Sequence, residues 1–300
     1  MSAPPAVSVI IPVRNDPDSL GRCLDALRAQ TFPAGDFEVI VVDNASTQDL
    51  GGVRRGHPEA RWFRDEGSGS YSARNAGIRE ARGSVIAFTD ADCIPDPRWL
   101  ETGVAALGSG AGVVGGELVW LDPEGRGLNS WEILETVMFA LGSIRQLIEE
   151  RGFAITANLF TRREAFDRVG MFDDKLRSAG DREWVQRAVA GGLALRYCGE
   201  AIVRHPRRST ARDFLRKQRR LVGGRLDLLR RSKPGPAEIL ADLRKISLLD
   251  GRLYRVIFGD PRAKGMNRRM RLFGAGVLVA VVTTAEKLRI LCGGSPSRGA

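Results

Sequence analysis

Neither of the first two apolar runs of this 300-residue sequence, at 7–13 and 37–42, is followed by the glycine-rich loop G-x-G-x-x-G, and no G-x-x-x-x-G-K-[ST] occurs. A nucleotide phosphate therefore has no such loop to rest on, and a cation held by carboxylates is the remaining device. The four cysteines, Cys23, Cys93, Cys198 and Cys292, lie far apart without a C-x-x-C pair. That excludes a zinc knuckle and a disulfide framework and fits a reducing cytosol. Histidine is scarce, with His57 in a polar turn and His205 far from it. The longest stretch almost free of polar groups, residues 272–285, falls short of the ~20 apolar residues a spanning helix needs. No basic leader precedes a long apolar run, so no signal peptide is expected, and no internal repeat is evident.

What is abundant is positive charge, in one place. The formal net charge is +10, yet residues 204–271 hold 21 Lys and Arg against 6 Asp and Glu, a net of +15, so the remainder is acidic. The rest of the composition is that of a globular protein with a sizeable core. The basic third admits a nucleic-acid-binding protein as an alternative reading, but no nucleic-acid motif accompanies it and none is expected as a partner.

Residues 7–13 (VSVIIPV), 37–42 (FEVIVV) and 85–88 (VIAF) are short continuous apolar runs, the pattern of buried parallel strands. Between the first two, Asp16-Pro17 gives an N-cap and first-position proline, and Leu20, Cys23, Leu24 and Leu27 form one helical face. Strand, helix, strand in this order predicts a right-handed βαβ unit. After the third run come Asp90 and Asp92, two carboxylates at i and i+2 on a strand exit, where open α/β sheets bind ligands. Together they can hold a hard divalent cation, which in turn can hold a diphosphate. The alternative is that they cap the following helix. Asp43, at the exit of the second run, can accept a hydrogen bond from a base or ribose, or cap a turn.

Four segments, VSVIIPVRN (7–15), VIVVDNAST (39–47), SARNAGIREARG (72–83) and VIAFTDADC (85–93), together resemble the family 2 glycosyltransferases with the GT-A fold. The match is strong over about the first 100 residues, weaker to residue 206 and poor beyond. The resemblance implies a Rossmann-like mixed, mostly parallel sheet flanked by helices. It implies that Asp90 and Asp92 bind Mg2+ or Mn2+ and the diphosphate of a nucleotide-sugar, that Asp43 recognises the base, and that Pro12 and Arg14 line the nucleotide. Asn44 departs from the pattern, since many relatives carry a second Asp there. Arg74, at a helix start, has the guanidinium geometry that suits phosphate.

Residues 111–120 read as a strand with a Gly115-Gly116 break, either a close approach of sugar to backbone or a bulge. Residues 131–148 read as one long helix, and 195–198 and 201–203 as two short strands. By the same resemblance Asn158 faces the acceptor. Gly180-Asp181-Arg182-Glu183 with Arg187 matches the E-D-x-[DE]-x-x-x-R pattern, except that Gly180 replaces its first acid. That leaves Asp181 as the base that takes the acceptor hydroxyl's proton, with inversion at the anomeric carbon. Glu183 is either an acceptor contact or the i, i+4 partner of Arg187. His205, after the last strand, completes the metal site or is structural.

Residues 209–231 predict a basic amphipathic helix, broken at Lys233-Pro234-Gly235-Pro236 and followed by a second helical segment over 237–258. The whole reads as a catalytic domain over 1–206 and a basic helical region over 207–300. The expected activity is metal-dependent, inverting transfer of a sugar from a nucleotide-sugar to a hydroxyl acceptor, lipid-linked or part of a growing cell-surface glycan, as in polysaccharide biosynthesis. The basic region is expected to dock on an anionic membrane, placing the protein in the cytoplasm, peripheral to the inner face. A catalytically silent GT-A scaffold is the other alternative. Intact Asp90, Asp92 and Asp181 argue against it, and the missing glycine-rich N-terminal loop argues against a sugar-nucleotide pyrophosphorylase.

Overall fold

Predominantly apolar runs rich in β-branched residues make strands that must be covered on both faces. Two such strands, β1 (Val7–Val13) and β4 (Val85–Thr89), are buried at every residue. The computed structural model describes residues 4–67, 69–140, 143–176, 178–231 and 265–294, with residues 235, 237, 238, 241 and 259 in between. Among the described residues, eight strands form one sheet in the order β3-β2-β1-β4-β7-β6-β8-β5. The remaining strands are β2 (Phe37–Asp43), β3 (Arg61–Arg64), β5 (Ile94–Pro95), β6 (Val113–Leu121), β7 (Asn158–Arg162) and β8 (Leu195–Pro206). Strands β3, β2, β1 and β4 pair in parallel, whereas β4–β7, β6–β7 and β5–β8 are antiparallel. This is the expected mixed α/β sheet.

The chain divides into two units. The first comprises residues 1–120, 144–175 and 180–206 and contains the sheet. Helix α1 (Pro17–Arg28) starts as the sequence predicts, with Asp16 accepting a hydrogen bond from the Ser19 N–H at 3.2 Å and Pro17 in the first turn. Its face of Leu20, Cys23, Leu24 and Leu27 is buried in the core beneath β1 and β2. The short α2 (Gly51–Gly56) and then α3 (Ser70–Glu80), α4 (Trp99–Gly108), α6 (Ile144–Glu149), α7 (Glu164–Val169) and α8 (Gly180–Ala190) complete this unit. Helix α8 is anchored by aromatic packing: Trp184 stacks on Phe166 at 4.7 Å and its indole N–H donates to the Gly170 carbonyl at 2.8 Å.

The second unit comprises residues 121–143, 176–179 and 207–300. In it, α5 (Ser130–Ala140), α9 (Ala211–Arg231) and α10 (Met266–Leu291) share a core of Ile133, Leu134, Val137, Phe214, Leu272, Ala275 and Val279. Part of the basic charge is used inside this unit. Lys217 pairs with the buried Glu135 at 2.6 Å, and burial pulls its ammonium below the usual lysine range. Arg207 donates to the Leu121 carbonyl, Asp122 and Thr136.

Two expectations are corrected. Residues 131–148 are not one helix: α5 ends at Ala140, Ser143 is not helical, and α6 starts at Ile144, a break that falls by the poor helix formers Gly142 and Ser143. Residues 195–206 are one strand rather than two, since β8 runs from Leu195 to Pro206 between β6 and β5 in the sheet. The predicted 237–258 segment and the Lys233–Pro236 break lie almost wholly outside the described residues.

Candidate active site

Parallel strands deliver their exits to one end of the sheet, and the register makes this concrete. Val13 is opposite Asp43, and β4, on the other side of β1, ends at Thr89, one residue past the Ile10–Phe88 pair. The loop after β4 then meets β8 through β5. Ile94 pairs with Arg204 in antiparallel register, so the preceding residue, Cys93, is level with His205. The side chains of Asp92, Cys93 and His205 consequently converge, with one potential ligand atom of each within 4.8 Å of the others.

The histidine's tautomer follows from its neighbours. Nδ1 lies 2.6 Å from the Pro206 carbonyl oxygen, which can only accept, so Nδ1 carries the proton and Nε2 the lone pair in the neutral ring. Nε2 lies 3.7 Å from Asp92 Oδ2. A carboxylate oxygen and an imidazole lone pair at this separation are both groups that a divalent cation accepts as ligands. Burial, together with Asp92 and Asp90, pushes the Cys93 thiol well above its usual range, so it stays protonated beside Asp92. The oxygen and imidazole-nitrogen donors that remain suit a divalent ion such as Mg2+ or Mn2+.

Asp90 faces a different partner. Its Oδ1 accepts a short, charge-assisted hydrogen bond from Arg74 Nη2. Arg74 is only 3% exposed, and its Nε has no hydrogen-bond partner; the Thr89 hydroxyl is likewise buried and without one. Unsatisfied donors at this depth are costly unless a ligand completes them, which fits a site for an anion. Arg74 also lies 5.6 Å from the ring centroid of Tyr71. The Tyr71 hydroxyl donates to Asp181 Oδ1 at 3.3 Å, and the Arg182 N–H donates to the same oxygen at 2.8 Å. Burial raises the Asp181 carboxyl above its usual range; the Arg182 N–H, Arg74 and Tyr71 oppose that rise, and Asp90 adds to it. Asp90, Arg74, Tyr71 and Asp181 thus form one connected series.

The other sequence-predicted residues fall as follows. Pro12 is buried within β1 and Arg14 is exposed at its exit. Asp43 accepts from the Ser46 N–H at 2.8 Å and pairs with Arg64 at 2.7 Å. Asn158 does not face a cleft. It is 1% exposed, accepts from the Trp99 indole at 2.8 Å, and donates to the carbonyls of Glu117 and Ala201, joining β6, β7 and β8. Gly116 makes room for it, since a Cβ there would lie 2.4 Å from the Asn158 amide and 2.3 Å from the Ala201 oxygen. The glycine break therefore serves packing rather than a sugar. Glu183 pairs with Arg187 through both oxygens, and Arg187 in turn holds the carbonyls of Val169 and Met171. This is the pairing alternative rather than the acceptor contact.

One residue, Asn15, escaped the reading of the sequence, and Asn44, noted there only as a departure, acquires a structural reason. Asn15, in left-handed conformation at φ 55°, accepts from the N–H groups of Thr47 and Gln48 and ties the exit of β1 to that of β2. Its signal is an asparagine directly after a strand. Asn44 donates to Asp65 Oδ2 at 2.9 Å and to the Gly67 carbonyl at 2.8 Å. The departure at position 44 is thereby accounted for, because a carboxylate there would face Asp65.

A family model described as glycosyl transferase family 2 matches residues 8–170. Glycosyltransferase AglE of Haloferax volcanii is 36% identical over 230 residues, covering 75% of this chain and 74% of that protein. The pre-mycofactocin glycosyltransferase of Mycobacterium tuberculosis is 27% identical over 226 residues, 71% of this chain and 45% of its own length. Among solved structures, the mannosyltransferase PcManGT from Pyrobaculum calidifontis, in complex with GDP-Man and Mn2+, superposes with a TM-score of 0.62 at 20% identity, covering 97% of this chain and 88% of that one. TarS 1-349 of S. aureus, in complex with UDP-GlcNAc, gives 0.55 at 18% identity, covering 96% and 92%.

Proposed function

Since the chain belongs to glycosyl transferase family 2 and is a glycosyltransferase with a GT-A fold, we propose that it moves a sugar from a nucleotide-sugar to a hydroxyl acceptor, with inversion and with Mg2+ or Mn2+. The observation that carries the reading is the series Asp90–Arg74–Tyr71–Asp181 beside the Asp92–His205 pair. Asp92 and His205 would hold the ion, which when bound neutralises charge on the departing diphosphate. Arg74, fixed by Asp90, offers its unsatisfied Nε to the same anion. Asp181 takes the acceptor hydroxyl's proton as the oxygen bonds to the anomeric carbon and the bond from that carbon to the diphosphate oxygen breaks. A carboxyl whose proton affinity is raised is a better base once ionised. Asp43, Pro12 and Arg14 line the nucleoside side.

Asp181→Asn is expected to keep donor binding and lose transfer by ~10²-fold or more. Normal turnover by that variant, or a product of retained anomeric configuration, refutes the scheme. Thermal-shift screening of UDP-, GDP-, dTDP- and CDP-sugars with Mn2+ identifies the base, since selective binding raises apparent stability.

We further propose that the second unit docks on an anionic membrane and brings the site to a lipid-linked or cell-surface acceptor. Among the described residues no helix is long and apolar enough to cross a membrane. Helix α10 instead buries Leu272, Ala275, Val279, Ala280 and Ile290 and exposes Met266, Met270, Phe273, Val281 and Leu288 at helical spacing, with Arg271 exposed beside them. An apolar stripe edged by arginine suits the headgroup boundary of an anionic bilayer. Co-sedimentation with anionic vesicles is expected to weaken with salt and to fall sharply in Met270→Glu/Val281→Glu. Protein that stays in the supernatant at low salt overturns this.

A further inference from the structure

We propose that Tyr71 is the positioning residue of the Asp181 carboxylate, and that position 180 carries no side chain because the Tyr71 ring fills its space. The inference rests on the reading of Asp181 as the base. Three observations meet here. The Tyr71 ring is buried and packs against Phe172 at 5.7 Å. An ideal Cβ built on Gly180 would lie 2.7–2.9 Å from three atoms of that ring, which real Cβ contacts do not tolerate. Both hydrogen bonds that Asp181 receives, from the Tyr71 hydroxyl and the Arg182 N–H, fall on Oδ1. The carboxylate is therefore held by one oxygen, and Oδ2 is the oxygen left to take the acceptor's proton. Among the described residues, the charged groups with the largest influence on Asp181 are Arg74 from α3 and Asp90 from the loop after β4, and they oppose one another.

The test is a cycle of Tyr71→Phe and Asp181→Asn in the full chain, with pH profiles. Tyr71→Phe keeps the buried ring and removes only the donor, so a purely structural role leaves it silent. The expected result is a fall in kcat of about five- to tenfold with donor KM unchanged. The acid limb of kcat/KM moves to higher pH, because the ionised carboxylate has lost a donor. On the Asp181→Asn background the same change costs nothing further, since the effect of the Tyr71 hydroxyl on turnover runs through that carboxylate. Gly180→Ala, which presses a methyl on the ring, lowers kcat in the same sense. If Asp181→Asn loses turnover while Tyr71→Phe matches the wild type in kcat and pH profile, the positioning role is overturned and the base stands. An equal loss from Tyr71→Phe on both backgrounds also overturns it. Normal turnover by Asp181→Asn overturns the base and this inference together.

Discussion

Asp90 and Asp92 are two residues apart on one loop, yet they live in different surroundings. Asp90 is tied to a buried guanidinium, while Asp92 faces an imidazole lone pair and a protonated thiol. The first is an ion pair; the second is a cluster of a carboxylate, an imidazole and a thiol. Two carboxylates of one D-x-D spacing thus meet different partners: one pairs with the arginine, and the other lies beside the histidine.

The largest expected effect breaks the second half. Asp92→Ala should abolish transfer and remove Mn2+-dependent binding of nucleoside diphosphate, with the fold intact. Calorimetry with and without EDTA checks it, and nucleotide affinity unchanged in EDTA contradicts the cation's role. Asp90→Asn should act instead on stability. It leaves the Arg74 charge buried and uncompensated, a situation that costs about 3 kcal/mol. Urea unfolding of Asp90→Asn and Asp92→Asn side by side sharpens the contrast: only the first should lose most of that amount. If both behave alike, the two carboxylates are not distinct.

A smaller effect concerns pH. Burial raises the Asp181 carboxyl, so it is still protonated at a pH where an ordinary aspartate, near 3.9, is ionised. Activity should be complete above the raised value and decline as pH falls through it, giving an acid limb above the usual aspartate range. A limb at or below 3.9 contradicts a buried base. Smallest of all, Asn44→Asp should cost about 1–3 kcal/mol in thermal unfolding, because it sets a carboxylate against Asp65 and removes the donor to Gly67.

Much of the first unit was legible because its signals are local. Unbroken β-branched runs, a capped helix and acids after strand ends have meaning within a few residues of chain. By contrast, Asn158 looked like a group facing a ligand and turned out to be a three-way tie among strands. A polar residue in an apolar strand is ambiguous until its cross-strand neighbours are known. Glu183 likewise needed the Arg187 rotamer, and the basic third needed Glu135, which lies in α5, to show that Lys217 is internal.

The sequence by itself determined the first apolar strands β1, β2 and β4, the exits that carry Asp43, Asp90 and Asp92, and the helix that carries Asp181, since hydrophobic period and capping act over one or two turns. Only the tertiary structure decided which carboxylate meets which partner. The β5–β8 register brings His205 level with Cys93, next to Asp92, across more than 100 residues of chain, and the Tyr71 ring excludes a side chain at position 180. Those pairings depend on strand register and side-chain volume, and neither is written in the residues near the motif.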